Sequence, residues 1–178
     1  MINAKIFATV GAQMGFDRMI RAVDAWASEN PHIQVFAQIG NGEYEPTAME
    51  WTRLLEPPEF RARVESASAI VGHAGMGTII TALQHAKPVL IMPRRGDLQE
   101  TRNDHQIATA ERFGVKAGVS VAMDEHRLPE ALDSILKRDA PDRLSNEASA
   151  ELIDTVRRFI RDGESPAGPS HDVVPAKD

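Results

Sequence analysis

Three short segments hold the residues best suited to chemistry. In Gly72-His73-Ala74-Gly75-Met76-Gly77-Thr78, three glycines surround a histidine and lead to a threonine. Glycines let the chain turn tightly and let backbone amides approach a ligand. A helix beginning after Gly77 would add unpaired N–H groups and the positive end of a helix dipole, a natural seat for a diphosphate. A plain strand-to-helix turn, with glycines only for close packing, fits the same spacing. Gly75-Met76-Gly77-Thr78-Ile79-Ile80 lacks the third glycine of a dinucleotide fingerprint, and no Gly-Lys-Ser/Thr follows to make a P-loop. His73 has a ring that could hydrogen-bond the loop or a ligand, and an ordinary pKa of about 6.5 allows acid–base work. For a lone histidine, a structural role is the commoner one.

The second segment is Asn103-Asp104-His105-Gln106. Such side chains cap helix starts, and they also suit the mixed donors and acceptors of sugar hydroxyls. A metal held by Asp104 and His105 is not expected, because adjacent helical residues diverge. The third is Arg94-Arg95, read either as a solvated pair or as a guanidinium pair for a diphosphate or a sugar carboxylate. Thr9-Val10-Gly11-Ala12-Gln13 gives a further turn before a helix. It could approach a phosphate or an acceptor, or be an empty βα turn.

The elements that must position these segments alternate. Strands are expected at Ile6 to Val10, Ile33 to Ile39, Ala69 to Gly72, Lys87 to Met92 and Val115 to Val121, with a short extended stretch within Ala48 to Leu55. Helices are expected at Phe16 to Ser28, Pro57 to Ser66, from the glycine turn to about His85, up to Phe113, and Glu125 to Leu136. Strand–helix alternation implies right-handed crossovers and a doubly wound parallel α/β sheet. Ligands of such sheets sit beyond the carboxyl ends of the strands, where the loops beginning at Gly11, Gly72 and Arg94 belong.

The chain has 178 residues, enough for one α/β domain over 1–140. An amphipathic helix is expected over 141–162, with Ala148, Leu152, Val156, Phe159 and Ile160 at helical spacing. The remainder, 163–178, has the composition of a disordered tail. A net charge of -6 argues against a general grip on nucleic acid, which needs a basic surface. With no cysteine there is no disulfide framework or thiolate metal site. Neither a signal peptide nor a membrane-spanning run is expected, which points to the cytoplasm.

Taken in order, these segments resemble the glycosyltransferase family 28 C-terminal domain. The matching stretches are Thr9-Val10-Gly11, Gln13, Phe16-Asp17-Arg18, Val35-Phe36-Ala37-Gln38-Ile39-Gly40, the Gly72–Thr78 turn, Lys87-Pro88-Val89-Leu90-Ile91-Met92-Pro93 and Asn103-Asp104-His105-Gln106. Within that family the sequence is similar to the small catalytic subunits of dolichol-linked N-acetylglucosamine transferases. It is also similar to bacterial exopolysaccharide glucuronosyltransferase subunits.

The resemblance implies a Rossmann-like C-terminal half of a GT-B enzyme that binds a UDP-sugar as substrate. It implies transfer with inversion, without a metal or other cofactor. The acceptor half would be a separate, membrane-associated polypeptide, holding this chain at the inner face of the membrane. Donor contacts are expected from Gly11, His73, Ala74, Gly75, Met76, Gly77, Thr78, Thr81, Arg94, Arg95, Asn103, His105 and Gln106. The donor would be UDP-glucuronate or UDP-N-acetylglucosamine. The general base is expected on the partner or in the cleft, with His73 a candidate.

One departure stands out. Family members commonly carry a Glu for the ribose hydroxyls where this chain has Thr81. Thr cannot make the two-oxygen contact of a carboxylate, and Gln84 is a possible substitute. An alternative reading is therefore a non-catalytic subunit that stabilises a partner transferase.

Overall fold

The structure is a computed structural model that describes residues 4–144. The helix expected over 141–162 lies outside the described residues from 145 onward, as does the tail expected over 163–178.

The chain runs β1 (Lys5–Thr9), α1 (Asp17–Glu29), β2 (Gln34–Gln38), β3 (Glu50–Thr52), α2 (Pro57–Ser66), β4 (Ala69–His73), α3 (Met76–Gln84), β5 (Val89–Met92), α4 (His105–Phe113), β6 (Val119–Val121) and α5 (Leu128–Ile135). The strands form one six-stranded sheet in the order β3-β2-β1-β4-β5-β6. Every pairing is parallel.

From β1 the chain moves outward to β2 and β3, then crosses back through α2 to β4 on the other side of β1. The order therefore reverses between β1 and β4, where Thr9 stands opposite Gly72. Loops leaving these two strands diverge, and the crevice between them is the place for a ligand in this architecture.

Each face of the sheet is covered. On one side Ile6, Ala8, Val71 and Leu90 pack with Met19, Ile20, Val23 and Trp26 of α1 and Leu128, Leu132 and Ile135 of α5. On the other, Phe7, Ile70 and Ile91 pack with Val64 of α2, Ile79 and Ala82 of α3 and Ala110 of α4. Burial on both faces explains why Val89–Met92 is apolar at every position.

The connection from β2 to β3 has no helix and is held instead by two acids of α1. One Asp17 carboxylate oxygen accepts the N–H groups of Glu43 (3.0 Å) and Tyr44 (3.2 Å). Asp24, itself buried, accepts the Tyr44 hydroxyl at 2.6 Å and the N–H groups of Thr47 (3.0 Å) and Ala48 (2.9 Å). These bonds supply the partners that an irregular segment's backbone otherwise lacks.

Most element bounds differ from expectation by a residue or two, and three of the differences have a visible cause. The last strand is Val119–Val121, not Val115 to Val121, because Val115 is exposed and Gly118 turns the chain at φ +81°. α5 begins at Leu128 rather than Glu125, since Asp124 Oδ1 accepts the N–H groups of His126 and Arg127 and shapes a turn there. α3 starts at Met76, with Gly75 extended before it (φ -96°, ψ 137°), so Gly77 lies inside the first turn rather than ahead of it.

Candidate functional site

The glycine segment is the last residue pair of β4, a two-residue bend and the first turn of α3. The first helical bond runs from the Ile79 N–H to the Gly75 oxygen at 3.2 Å. The amides of Met76, Gly77 and Thr78 thus belong to the first turn, where N–H groups have no acceptor within the helix. Gly72 passes so close to its neighbours that a Cβ would lie 2.7 Å from Thr78 Cγ2 and 3.1 Å from the Thr9 oxygen. Gly77 differs, having nothing within 4 Å of the position a Cβ would take. Its surroundings are open.

His73 joins this turn to the loop after β1. Cβ atoms built on Gly11 and Gly75 would lie 2.7 and 2.2 Å from its ring, so the imidazole occupies the space that two side chains would need. Gly11 has φ +78°, a conformation that favours glycine independently of the contact. The Gly11 N–H donates to Thr9 Oγ1 (3.1 Å), whose hydroxyl donates to Gln38 Oε1 (2.9 Å). Burial pushes the His73 pKa down to about 4, the Arg94 and His105 charges act the same way, and a hydrogen bond with the Thr9 backbone opposes them. At neutral pH the ring is uncharged. Such a weak base suits hydrogen bonding better than proton abstraction.

The β5–α4 loop closes another side. Arg94 is 4% exposed. Its Nη2 donates to the oxygens of Val10 (2.8 Å), Met14 (2.6 Å) and Gly15 (3.4 Å), and its guanidinium lies 5.2 Å from the centre of the Phe16 ring. Arg95 instead pairs with Asp97 at the surface. Neither reading of Arg94-Arg95 as a pair describes both side chains: one turns inward to backbone carbonyls and the other outward to an acid. The next layer is ionic. Arg18 donates to both oxygens of Glu100 (2.8 and 2.7 Å), to Glu125 (2.8 Å) and to the Pro93 oxygen (3.1 Å), fixing the loop against α1.

At the start of α4, Gln106 is buried and its Oε1 accepts the Arg94 N–H at 3.1 Å. Asp104 Oδ1 accepts the Gly96 N–H at 2.8 Å, so this acid orders the loop and makes no side-chain cap for α4. Asn103 Oδ1 contacts the His105 ring and backbone N–H.

These walls enclose a cavity of about 840 Å³ at the carboxyl edge of β1 and β4. Of the expected donor-site residues, Gly11, His73, Gly75, Met76, Gly77, Thr78, Thr81, Arg94, His105 and Gln106 line it, as does Gln84. Ala74, Arg95 and Asn103 are not among its lining residues. Ala74 is buried in the core beneath the turn. Leu55, Pro57, Phe60 and Arg61, around the start of α2, form a wall that residue types did not announce. Its position depends on β3 lying two strands from β1, a property of the sheet order rather than of local sequence. Among the described residues, no group of three or more His, Cys, Asp or Glu could hold a metal ion.

The family model described as "Glycosyltransferase family 28 C-terminal domain" matches residues 5–161. No curated protein matches the sequence. Solved structures with the same fold include the glycotransferase of kitacinnamycin, at TM-score 0.60 and 22% identity over 89% of this chain and 39% of that one. The calicheamicin glycosyltransferase CalG4 matches at TM-score 0.57 and 18% identity over 90% of this chain and 39% of its own. The glycosyltransferase VinC in complex with DTDP matches at TM-score 0.53 and 19% identity over 77% of this chain and 34% of its own. This chain therefore spans well under half the length of each of these proteins.

Proposed function

Because this chain belongs to the glycosyltransferase family 28 C-terminal domains, we propose that it is the UDP-sugar-binding half of a two-component inverting transferase. The supporting observation is the first turn of α3, whose residues Met76, Gly77 and Thr78 line a large cavity at the β1/β4 switch point. A nucleoside diphosphate placed there meets backbone donors and a helix dipole, so few cationic side chains are needed. Stabilising a departing diphosphate in this way is preorganised electrostatic catalysis. No cofactor enters this proposal.

The resemblance of the sequence to subunits of two-part transferases supports a partner that supplies the acceptor half. We place that partner at the membrane and this chain on its cytoplasmic side, in polysaccharide or lipid-linked glycan synthesis. Among the described residues, no helix is long and apolar enough to cross a membrane. The donors put forward are UDP-glucuronate and UDP-N-acetylglucosamine. Arg95 lies outside the cavity lining, so the glucuronate preference no longer draws on two free guanidinium groups.

The test is calorimetric titration of UDP and dTDP into the full chain, alone and co-expressed with a membrane-associated candidate partner. Saturable UDP binding that Gly77→Asp weakens by about tenfold or more is expected, since a carboxylate would enter the anion site. No UDP binding in either form overturns the proposal. Assay of the reconstituted pair against a panel of UDP-sugars separates the two donors.

Thr81 favours a second reading, a non-catalytic subunit that stabilises a partner transferase. It lines the cavity where the family resemblance implies a ribose-binding Glu. If the pair transfers sugar equally well with His73→Ala or Gly77→Asp, that reading replaces the first. If Thr81→Glu raises transfer, the first is supported.

A further inference from the structure

We infer that Arg94 is a positioning residue of the donor site: it holds the carbonyls of the β1–α1 turn inward and places a buried positive charge beneath the diphosphate, without touching the donor. This rests on the UDP-sugar reading above.

Arg94 lies in the cavity wall but is 4% exposed, which leaves little of it for a ligand to reach. Its Nη2 gathers the oxygens of Val10, Met14 and Gly15, spanning the whole turn from Val10 to Gly15. That turn lines the cavity through Gly11, Ala12, Gln13 and Met14. A carbonyl facing an anionic ligand repels it, whereas one bound to a guanidinium is both turned away and neutralised. The guanidinium is itself fixed from behind by the Phe16 ring and, through its own backbone, by Gln106.

The second observation is the missing counter-charge. A buried guanidinium is ordinarily paired with a carboxylate. Among the described residues no carboxylate lies in a salt bridge with Arg94. The nearby acid, Glu100, gives both oxygens to Arg18 and one also to the Arg95 N–H. Arg94 Nε is buried with no hydrogen-bond partner. Glu100 acts on the Arg94 charge only through space and without a salt bridge, so the charge is left short of a direct counter-ion until an anion arrives, and a low-dielectric setting makes that attraction stronger than at a surface.

The experiment compares the full-length wild type with Arg94→Met and Arg94→Lys, measuring affinity for UDP and for uridine at a temperature where circular dichroism shows all three folded. Arg94→Met is expected to weaken UDP by about tenfold or more, as loss of charge-assisted bonds implies, and to change uridine by less than about twofold. Arg94→Lys restores charge without the fork and recovers part of the loss. The same variants are followed by histidine NMR, where the His73 titration rises in Arg94→Met because one of the charges that lowers it is gone. Unchanged UDP affinity in folded Arg94→Met overturns the inference, as does equal weakening of UDP and uridine. If Arg94→Met does not fold, Arg94→Lys carries the test: about threefold weaker UDP with unchanged uridine supports the inference, and wild-type affinity for UDP overturns it. Absence of UDP binding by the wild type overturns the donor reading and this inference with it.

Discussion

Gly11 and His73 are packed so closely that a Cβ on Gly11 would lie 2.7 Å from His73 Cε1, and Gly11 holds φ +78°. Both facts oppose a side chain there. Gly11→Ala is expected to cost about 1–3 kcal/mol, the range for a strained backbone position. Urea denaturation of the two proteins measures it, and a loss below half the lower bound would show that the ring simply moves aside.

Gly77→Ala should do the reverse. The position is helical with nothing within 4 Å of a Cβ, so the methyl group meets no clash. Stability is expected to rise by up to about 1 kcal/mol. UDP affinity is expected to fall, because Gly77 lines the cavity. Opposite signs in a melting curve and a binding titration check this; a parallel change in both contradicts it.

The His73 titration has a defined direction. Its folded pKa of about 4 lies below the unfolded value of about 6.5. Between those values the unfolded chain binds more protons, so stability rises with pH there. The stabilisation is complete above about pH 6.5 and is lost as pH falls toward 4. His73→Asn should flatten this part of a stability–pH curve, and the wild-type imidazole should show no NMR titration above about pH 5.5.

Much of this site was legible before the fold was known, for a local reason. Gly72, Gly75, Gly77 and Thr78 declare a turn and a helix start within seven residues, and the alternation that places them at the carboxyl edge is equally local. What sequence reading missed depends on distant pairings. Arg94 reads as one half of a charged pair, yet its partners Val10 and Met14 are about eighty residues away. Gln106 reads as a sugar contact or a cap, yet its oxygen fixes the Arg94 backbone. The Leu55–Arg61 wall was invisible because a strand of only three residues, β3, decides where α2 begins.

Of the two acids that hold the β2–β3 connection, Asp24 is the buried one with three partners. Burial alone would raise the Asp24 pKa, but its bonds from Tyr44, Thr47 and Ala48 outweigh that and hold it below the usual carboxylate value. Asp24→Asn replaces one acceptor with a donor facing N–H groups, and a loss of about 1.5–3 kcal/mol is expected. Limited proteolysis should then cut first between Gly40 and Met49. Cleavage elsewhere at an unchanged rate would contradict that assignment.

Arg18→Met is expected to lower stability by about 1.5–3 kcal/mol, since it leaves Glu100 with a side chain 14% exposed and no cation. Its bond to Glu125 also lowers that carboxyl's pKa, so the contribution is present above the unfolded value of about 4.3 and lost as pH falls through the lower folded value. In Arg18→Met the acid limb of the stability curve should be shallower. A limb as steep as the wild type would assign the acid sensitivity to other carboxylates.

The sheet thins toward its margins. β3 and β6 have three residues each and flank strands of four or five, so the described sheet exposes only two short rows of unpaired backbone groups. Short margins give an extended segment little to pair with, which guards against aggregation through strand addition. Short margins thus favour association of the described part of this molecule by packing of loops and helices, where side-chain shape and not backbone register decides what fits.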